Sequence, residues 1–207
     1  MNIDHAKLAE SLIQATLNAV IAYGSHGLAR RASLAEVSRL LSAGADPSLT
    51  GACAISGSQT SALVLAAAKG DVECLKILAA GPHGNLDRQD TNGYTALLAA
   101  AQFAGPEAVM VLLNAGANPN ATGIHGWNAL MHATWTNDYH SCAALAPLTN
   151  LDHLAENGND VHKLAALEHG DFREPIRLLL ASEAEARALA KDCPAARSGG
   201  GRPRQAL

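Results

Sequence analysis

The stretch Asp90-Thr-Asn-Gly-Tyr-Thr-Ala-Leu97, followed by Ala99-Ala100 and then Val111-Leu-Leu-Asn-Ala-Gly-Ala-Asn-Pro-Asn120, decides the fold. It reads as a turn at Asn92-Gly93, a Thr95 hydroxyl placed to cap a short Leu/Ala helix, a second helix of Val and Leu, and a stop at Gly116 before a polar loop. Outward from it the same order recurs. The segments SALVLAAAKGDVECLKIL (61–78), TALLAAAQFAGPEAVMVLL (95–113) and NALMHATWTNDYHSCAAL (128–145) superpose with Leu63, Leu97 and Leu130 aligned, 34 and 33 residues apart. Leu164, another 34 residues along, is the next apolar position in phase.

Each unit reads as two amphipathic helices separated by a turn at Gly70, at Ala104-Gly105-Pro106 or at Asn137-Asp138. Helices shorter than about 12 residues are marginal in water, so these must be held by stacking on their neighbours. Small residues at Ala66, Ala67, Ala99, Ala100 and Ala133 let the first helices of successive units approach closely. Gly44 and Gly116 close second helices, because glycine past a helix end takes the left-handed conformation at little cost. The expected fold is all-α, a solenoid of helix-turn-helix units with turn-rich fingers between them.

On these residues the chain resembles the ankyrin-repeat family. Thr95 stands where the family's threonine caps the first helix, with Ser61 and Asn128 offering the same oxygen in the flanking units. There are departures. Alanine replaces the usual proline at Ala62, Ala96 and Ala129, the usual histidine is Val64, Leu98 or Met131, and the loop at 81–85 carries one extra residue.

The resemblance spans about 33–181, with units at 33–55, 56–89, 90–122, 123–156 and 157–181. Residues 1–32 are expected to hold an N-terminal capping helix at 12–22 and a polar insertion at 24–32. In the last unit the landmarks Asn157-Gly158, Ala165-Ala166, Gly170 and Leu180 persist, but the spacing slips by one residue and Pro175 falls inside the second helix. Degenerate outer units are expected where a stack must present a polar face. Residues 182–196 read as a capping helix and 197–207, rich in glycine, as a disordered tail.

Composition narrows the function classes. The 207 residues are 48% hydrophobic but 3% aromatic, which suits close helix packing, and the net charge of −4 provides no basic face for nucleic acid. Arg30-Arg31 and Arg202-Arg204 are read as solvated. Cys53, Cys74, Cys142 and Cys193 show no CxxC pairing, and Cys74 and Cys142 lie in apolar runs as small buried hydrophobes, favouring a reducing compartment. No basic, apolar leader opens the chain and no apolar run approaches the roughly 18 residues a bilayer requires. A bacterial, cytoplasmic protein without membrane insertion is expected, with export or the periplasm left open.

Chemistry is expected to be absent. His132, His140, Cys142 and His153 crowd one unit, but His132 belongs to its first helix, and residues 140 and 142 diverge on the second, so no metal site is assigned. No nucleotide-binding, zinc-protease or nucleophile-elbow segment occurs, and Gly199-Gly-Gly201 is a bare glycine run. The chain is read as no enzyme, with no cofactor.

The resemblance implies a protein partner lying in a concave groove lined by finger tips and the exposed ends of first helices. Carried onto this chain, those positions are Thr91, Asn92, Tyr94, Gln102 and Phe103, then Ile124, His125, Trp127, Trp135 and Thr136. Both tryptophans, one of three tyrosines and one of two phenylalanines fall on them, the residue types that anchor interfaces. At Phe103 and Trp135 a second reading stands, a plug between adjacent repeats, whereas Trp127 at a finger tip is harder to place in a core. Tyr139 and His140 sit where a regular inter-helix turn is expected, which points to a local departure in that unit.

Two roles follow: a protein-binding module acting alone, as an inhibitor, immunity-type neutraliser or adaptor, monomeric when unbound, or a regulatory or targeting subunit of an enzyme or membrane complex. Deleting 197–207 separates them, since only the second uses the tail as a further contact.

Overall fold

A computed structural model describes residues 5–22, 28–52, 59–81, 85–166 and 174–192. Cys53, Cys193, His83, Gly170, Arg202, Arg204, the glycine run at 199–201 and the tail at 197–207 lie outside these residues.

The helices alternate between two layers. An inner layer holds α1 (His5–Ile21), α3 (Ala62–Lys69), α5 (Ala96–Ala99), α7 (Ala129–Trp135) and α9 (Val161–Ala166). Behind it stand α2 (Leu28–Ser42), α4 (Val72–Ala80), α6 (Pro106–Asn114), α8 (Tyr139–Leu145) and α10 (Glu174–Asp192), each packed on the next in its own layer. Leu63, Leu97 and Leu130, which mark the period, and Leu164 are each 1% exposed or less. Leu164, expected in phase with them, lies four residues past its cap Asp160 where they lie two past Ser61, Thr95 and Asn128, so it is out of register. Full burial of one such side chain stabilises the stack by roughly 1.5–3 kcal/mol, which exceeds what helices of seven to nine residues supply alone.

Caps delimit the inner helices as expected. Val64 N donates to Ser61 Oγ (3.2 Å), Leu98 N to Thr95 Oγ1 (3.2 Å) and Met131 N to Asn128 Oδ1 (2.9 Å), and Lys163 N repeats the contact on Asp160 Oδ1 (2.7 Å). Between inner and outer helices, Gly70 (φ 68°) and Asn137 (φ 59°) take the left-handed conformation. Asp71 and Asp138 then cap α4 and α8. The unit containing Tyr139 and His140 is therefore regular, and the departure lies instead in the central unit. There Ala104 occupies the position of Gly70 and Asn137, and an alanine resists a left-handed turn. The inner helix runs on from α5 as a π turn over Ala100–Ala104, and Gly105 takes the positive φ (91°) one residue later.

Between the helix pairs the chain forms fingers. The first is a hairpin of β1 (Thr50–Ala52) and β2 (Gln59–Ser61), with Thr50 opposite Ser61. Later fingers are closed by backbone hydrogen bonds, from Asp90 N to Tyr94 O, Gly123 N to Trp127 O and Ala155 N to Asn159 O, each with a tighter turn inside it from Gly93 N to Asp90 O, Gly126 N to Gly123 O and Gly158 N to Ala155 O. Gly93 and Gly126 are 33 residues apart and Gly126 and Gly158 are 32, so the one-residue slip lies before the last finger. At the opposite edge a side-chain ladder joins successive loops: Asn118 N donates to Asp87 Oδ1 (2.9 Å) and Asn150 N to Asn120 Oδ1 (2.7 Å).

The outer parts correct several expectations. The first helix already includes His5, ahead of the start expected at residue 12, and residues 28–32 of the expected polar insertion are helical in α2. At the other end α10 is one helix from Glu174 to Asp192; no break separates residues 174–181 from the capping helix expected at 182. Pro175 stands in its first turn, where a missing N–H costs nothing.

Arg30 also differs from its reading as a solvated residue. It is 7% exposed, and its guanidinium donates to both carboxylate oxygens of Asp71 (2.9 and 2.8 Å), to Glu73 (2.9 Å) and to Ala19 O (3.1 Å). The bond to Asp71 holds its pKa above the usual arginine value against the opposing effect of burial. Arg31, one residue on, is exposed.

Candidate binding groove

The fingers and inner helices of the two central units share one face. Finger tips are tied to one another through backbone and side-chain bonds: Thr91 donates to Gln59 O through its N–H (3.1 Å) and its hydroxyl (3.0 Å), Gln89 Nε2 to Thr122 O (2.6 Å), and Glu156 N to His125 O (3.1 Å). Within the second finger the Asp90 carboxylate accepts from Asn92 N and Tyr94 N, both at 2.9 Å, which presents the Tyr94 ring toward the π turn.

On this face a continuous series of rings runs across two units. Phe103 packs on Tyr94 (ring centroids 5.7 Å), Tyr94 on His132 (5.9 Å), His132 on Trp127 (5.3 Å) and Trp127 edge-on to Trp135 (5.9 Å). The Tyr94 hydroxyl donates to Gln102 Oε1 (2.6 Å), so the π turn that carries Gln102 and Phe103 is fastened to the finger before it. Between the second and third fingers lies a hollow of about 340 Å³, lined by Tyr94, Trp127 and His132 together with Asn92, Ile124 and His125.

Of the residues expected to line the groove, Asn92, Tyr94, Ile124, His125 and Trp127 meet at this hollow. Gln102 and Phe103 join it through Tyr94, and Trp135 through Trp127. Thr91 turns instead to the preceding finger, and the Thr136 hydroxyl closes α7 by donating to His132 O (3.1 Å) and Ala133 O (3.2 Å). The two readings of the rings are distributed differently from expectation. Phe103 (58% exposed) and Trp135 (46%) each keep about half of their surface in solvent, whereas Trp127 at the finger packs partly into a small core of Met131, Ala155 and Leu164.

His132 is the central ring and was not among the expected groove residues. Its signal was available, since residues three apart share a helix face and Trp135 lies three beyond it. Burial between the rings pushes its pKa down to about 4, which leaves the imidazole neutral at physiological pH. Close backbone approach also contributes: a Cβ on Gly123 would lie 2.7 Å from Gly93 O and one on Gly93 would collide with Ile124, so only glycine lets the two fingers meet.

Among the described residues the thiols are not reactive. Cys74 and Cys142 are buried, and burial raises both thiols to about 12, so neither supplies a thiolate. His140 and Cys142 diverge on α8, and among the described residues no three His, Cys, Asp or Glu side chains converge as metal ligands. Among the same residues no helix is long and apolar enough to cross a membrane.

A two-layer stack of helix pairs, with fingers tied edge to edge and a ring-lined face, defines a repeat solenoid of the binding type. The chain belongs to the ankyrin-repeat family: a family model of ankyrin repeats (3 copies) matches residues 26–123 and, in a second register, 63–160. Members of this family are in general protein–protein interaction modules and typically have no enzymatic activity. Among curated proteins no relative matches at a significant level.

Proposed function

We propose that this chain is a non-enzymatic protein-binding module that acts alone, as an inhibitor, immunity-type neutraliser or adaptor, and takes its partner across the ring series from Phe103 to Trp135. The observation that carries this reading is the exposure of two large rings at the two ends of that series, Phe103 at 58% and Trp135 at 46%. The rings between them are held in place by packing and by the Tyr94–Gln102 bond. A pre-positioned surface of this kind gives contact area while little side-chain entropy is lost on binding.

The test is affinity capture from the producing cells with the intact chain and with the double variant Phe103→Ala/Trp135→Ala, in a sample shown by its melting curve to be folded. A partner recovered by the intact chain and reduced at least about tenfold by the variant supports the reading, as expected when two anchoring rings are removed. Equal recovery by both chains overturns it.

A further inference from the structure

We infer that the hollow between the second and third fingers is a receptor for a cationic side chain, an arginine or lysine presented by the bound protein. This inference rests on the groove reading above and names the chemistry of its central contact. Its walls are the rings of Tyr94, Trp127 and His132, and a ring face carries the negative side of its quadrupole. A cation seated within about 6 Å of such faces is attracted most strongly where water is displaced, as it is in a hollow rather than on an open surface.

The hollow itself is lined by no permanent cation. No lysine or arginine lines the hollow, and the Glu156 carboxylate lies 3.9 Å from Nδ1 of His125, one of the lining residues. At physiological pH the His132 ring adds a further neutral wall, with no positive charge to repel an incoming cation. Asn92 adds polarity without charge: its Nδ2 donates to Asp90 Oδ2 (3.4 Å), which leaves the amide oxygen as an acceptor for an N–H of the guest. A carboxylate guest would meet the rings with no lysine or arginine to receive it. A purely apolar guest would use the rings but neither Asn92 nor Glu156. The volume of about 340 Å³ accommodates the end of a long side chain and excludes a folded segment.

The experiment titrates the intact chain with the N-acetyl amides of arginine, lysine, norleucine and glutamate, following the Trp127 indole N–H by NMR, with that resonance assigned through Trp127→Phe. The arginine and lysine compounds are expected to shift it saturably and to bind about three- to tenfold more tightly than norleucine, the range set by cation–π contacts of partly desolvated rings. The two arms show which cation is preferred. Glu156→Gln, an exposed substitution that leaves the fold intact, is expected to narrow the preference over norleucine by roughly twofold. Trp127→Leu, in a sample shown by its melting curve to be folded, is expected to abolish that preference.

Norleucine or glutamate binding as tightly as arginine and lysine overturns the inference, as does the absence of any saturable shift. A protein partner that binds through Phe103 and Trp135, yet is not displaced by either cation, also overturns it and leaves the groove reading standing. Saturable cation binding in a chain that captures no protein supports the inference and removes the groove reading instead.

Discussion

Arg30 and Asp71 meet through two hydrogen bonds, at 2.9 and 2.8 Å, with the Asp71 side chain fully buried and that of Arg30 nearly so. Arg30 is on α2, and Asp71 also caps α4 through Cys74 N (3.1 Å), so one carboxylate both starts an outer helix and receives its predecessor. Removing one partner strands a buried charge. Arg30→Met is expected to lower the unfolding free energy by about 3–5 kcal/mol. Urea denaturation checks this, with Arg30→Met/Asp71→Asn expected to show a coupling free energy because the two sites share one network.

Burial of His132 makes stability depend on acid. Its folded-state pKa, about 4, is below its ordinary value of 6.5, so the unfolded chain binds the proton more readily. The contribution is fully present above about pH 6.5 and is lost as pH falls toward 4, where it amounts to about 2–3 kcal/mol. Denaturation curves between pH 7 and 4 are expected to show a steeper loss for the native chain than for His132→Phe. Parallel slopes would show that the ring does not titrate in this way.

The rings are expected to separate into two energetic classes. Phe103→Ala and Trp135→Ala, about half exposed and each packed on one neighbouring ring, should lower the unfolding free energy by about 0.5–1.5 kcal/mol each. Trp127→Ala removes a ring packed on Met131, Ala155 and Leu164 and is expected to cost about 2–4 kcal/mol. Thermal melts of the three single variants decide the matter, with the ordering, Trp127 above the others, as the essential outcome.

Gly93 and Gly123 hold two fingers at backbone contact. Gly123→Ala, with its new methyl 2.7 Å from Gly93 O and 2.9 Å from Leu98 Cδ1, is expected to destabilise the chain by about 1–3 kcal/mol and to shift the Trp127 emission maximum as the hollow opens. Gly116→Ala, which has open space around it but a φ of 94°, is the useful contrast. It carries the backbone strain alone, and its Trp127 emission should not move.

The thiols of Cys74 and Cys142, raised to about 12, should be silent toward iodoacetamide at pH 8. In a Cys53→Ser/Cys193→Ser background, mass spectrometry is expected to find no labelling of the folded chain within an hour and two labels after addition of denaturant. Labelling of either thiol in the folded chain contradicts the buried packing.

Much of the fold was legible because the same physical need recurs in every unit. An inner helix must be capped, so Ser61, Thr95 and Asn128 present an oxygen at one register. Successive inner helices must approach, so alanines repeat at 66, 100 and 133. The π turn was not legible for a reason equally local. The central unit matches the family pattern best, yet the identity of residue 104, alanine where its neighbours have glycine or asparagine, moves the positive φ on to Gly105. Arg30 was misread because pairing across 41 residues leaves no trace in local composition. The groove was partly legible. Finger and helix positions located most of its rings, but exposure depends on tertiary packing, which puts Trp127 half into a core and leaves Phe103 and Trp135 outside.

Arg30 has a counterpart at the other side of the stack. Arg187 of α10 donates to Thr149 O (2.9 Å) and Ala146 O (2.5 Å), on carbonyls at the end of α8. In a one-dimensional assembly each unit is supported only by its neighbours, and melting ordinarily frays inward from the outermost pairs. With a guanidinium clamping α2 to the start of α4 and another clamping α10 to the end of α8, the outer helices of this chain share the fate of the middle. It should lose its structure in one cooperative step, and amides of α2 and α10 should exchange on the timescale of global opening.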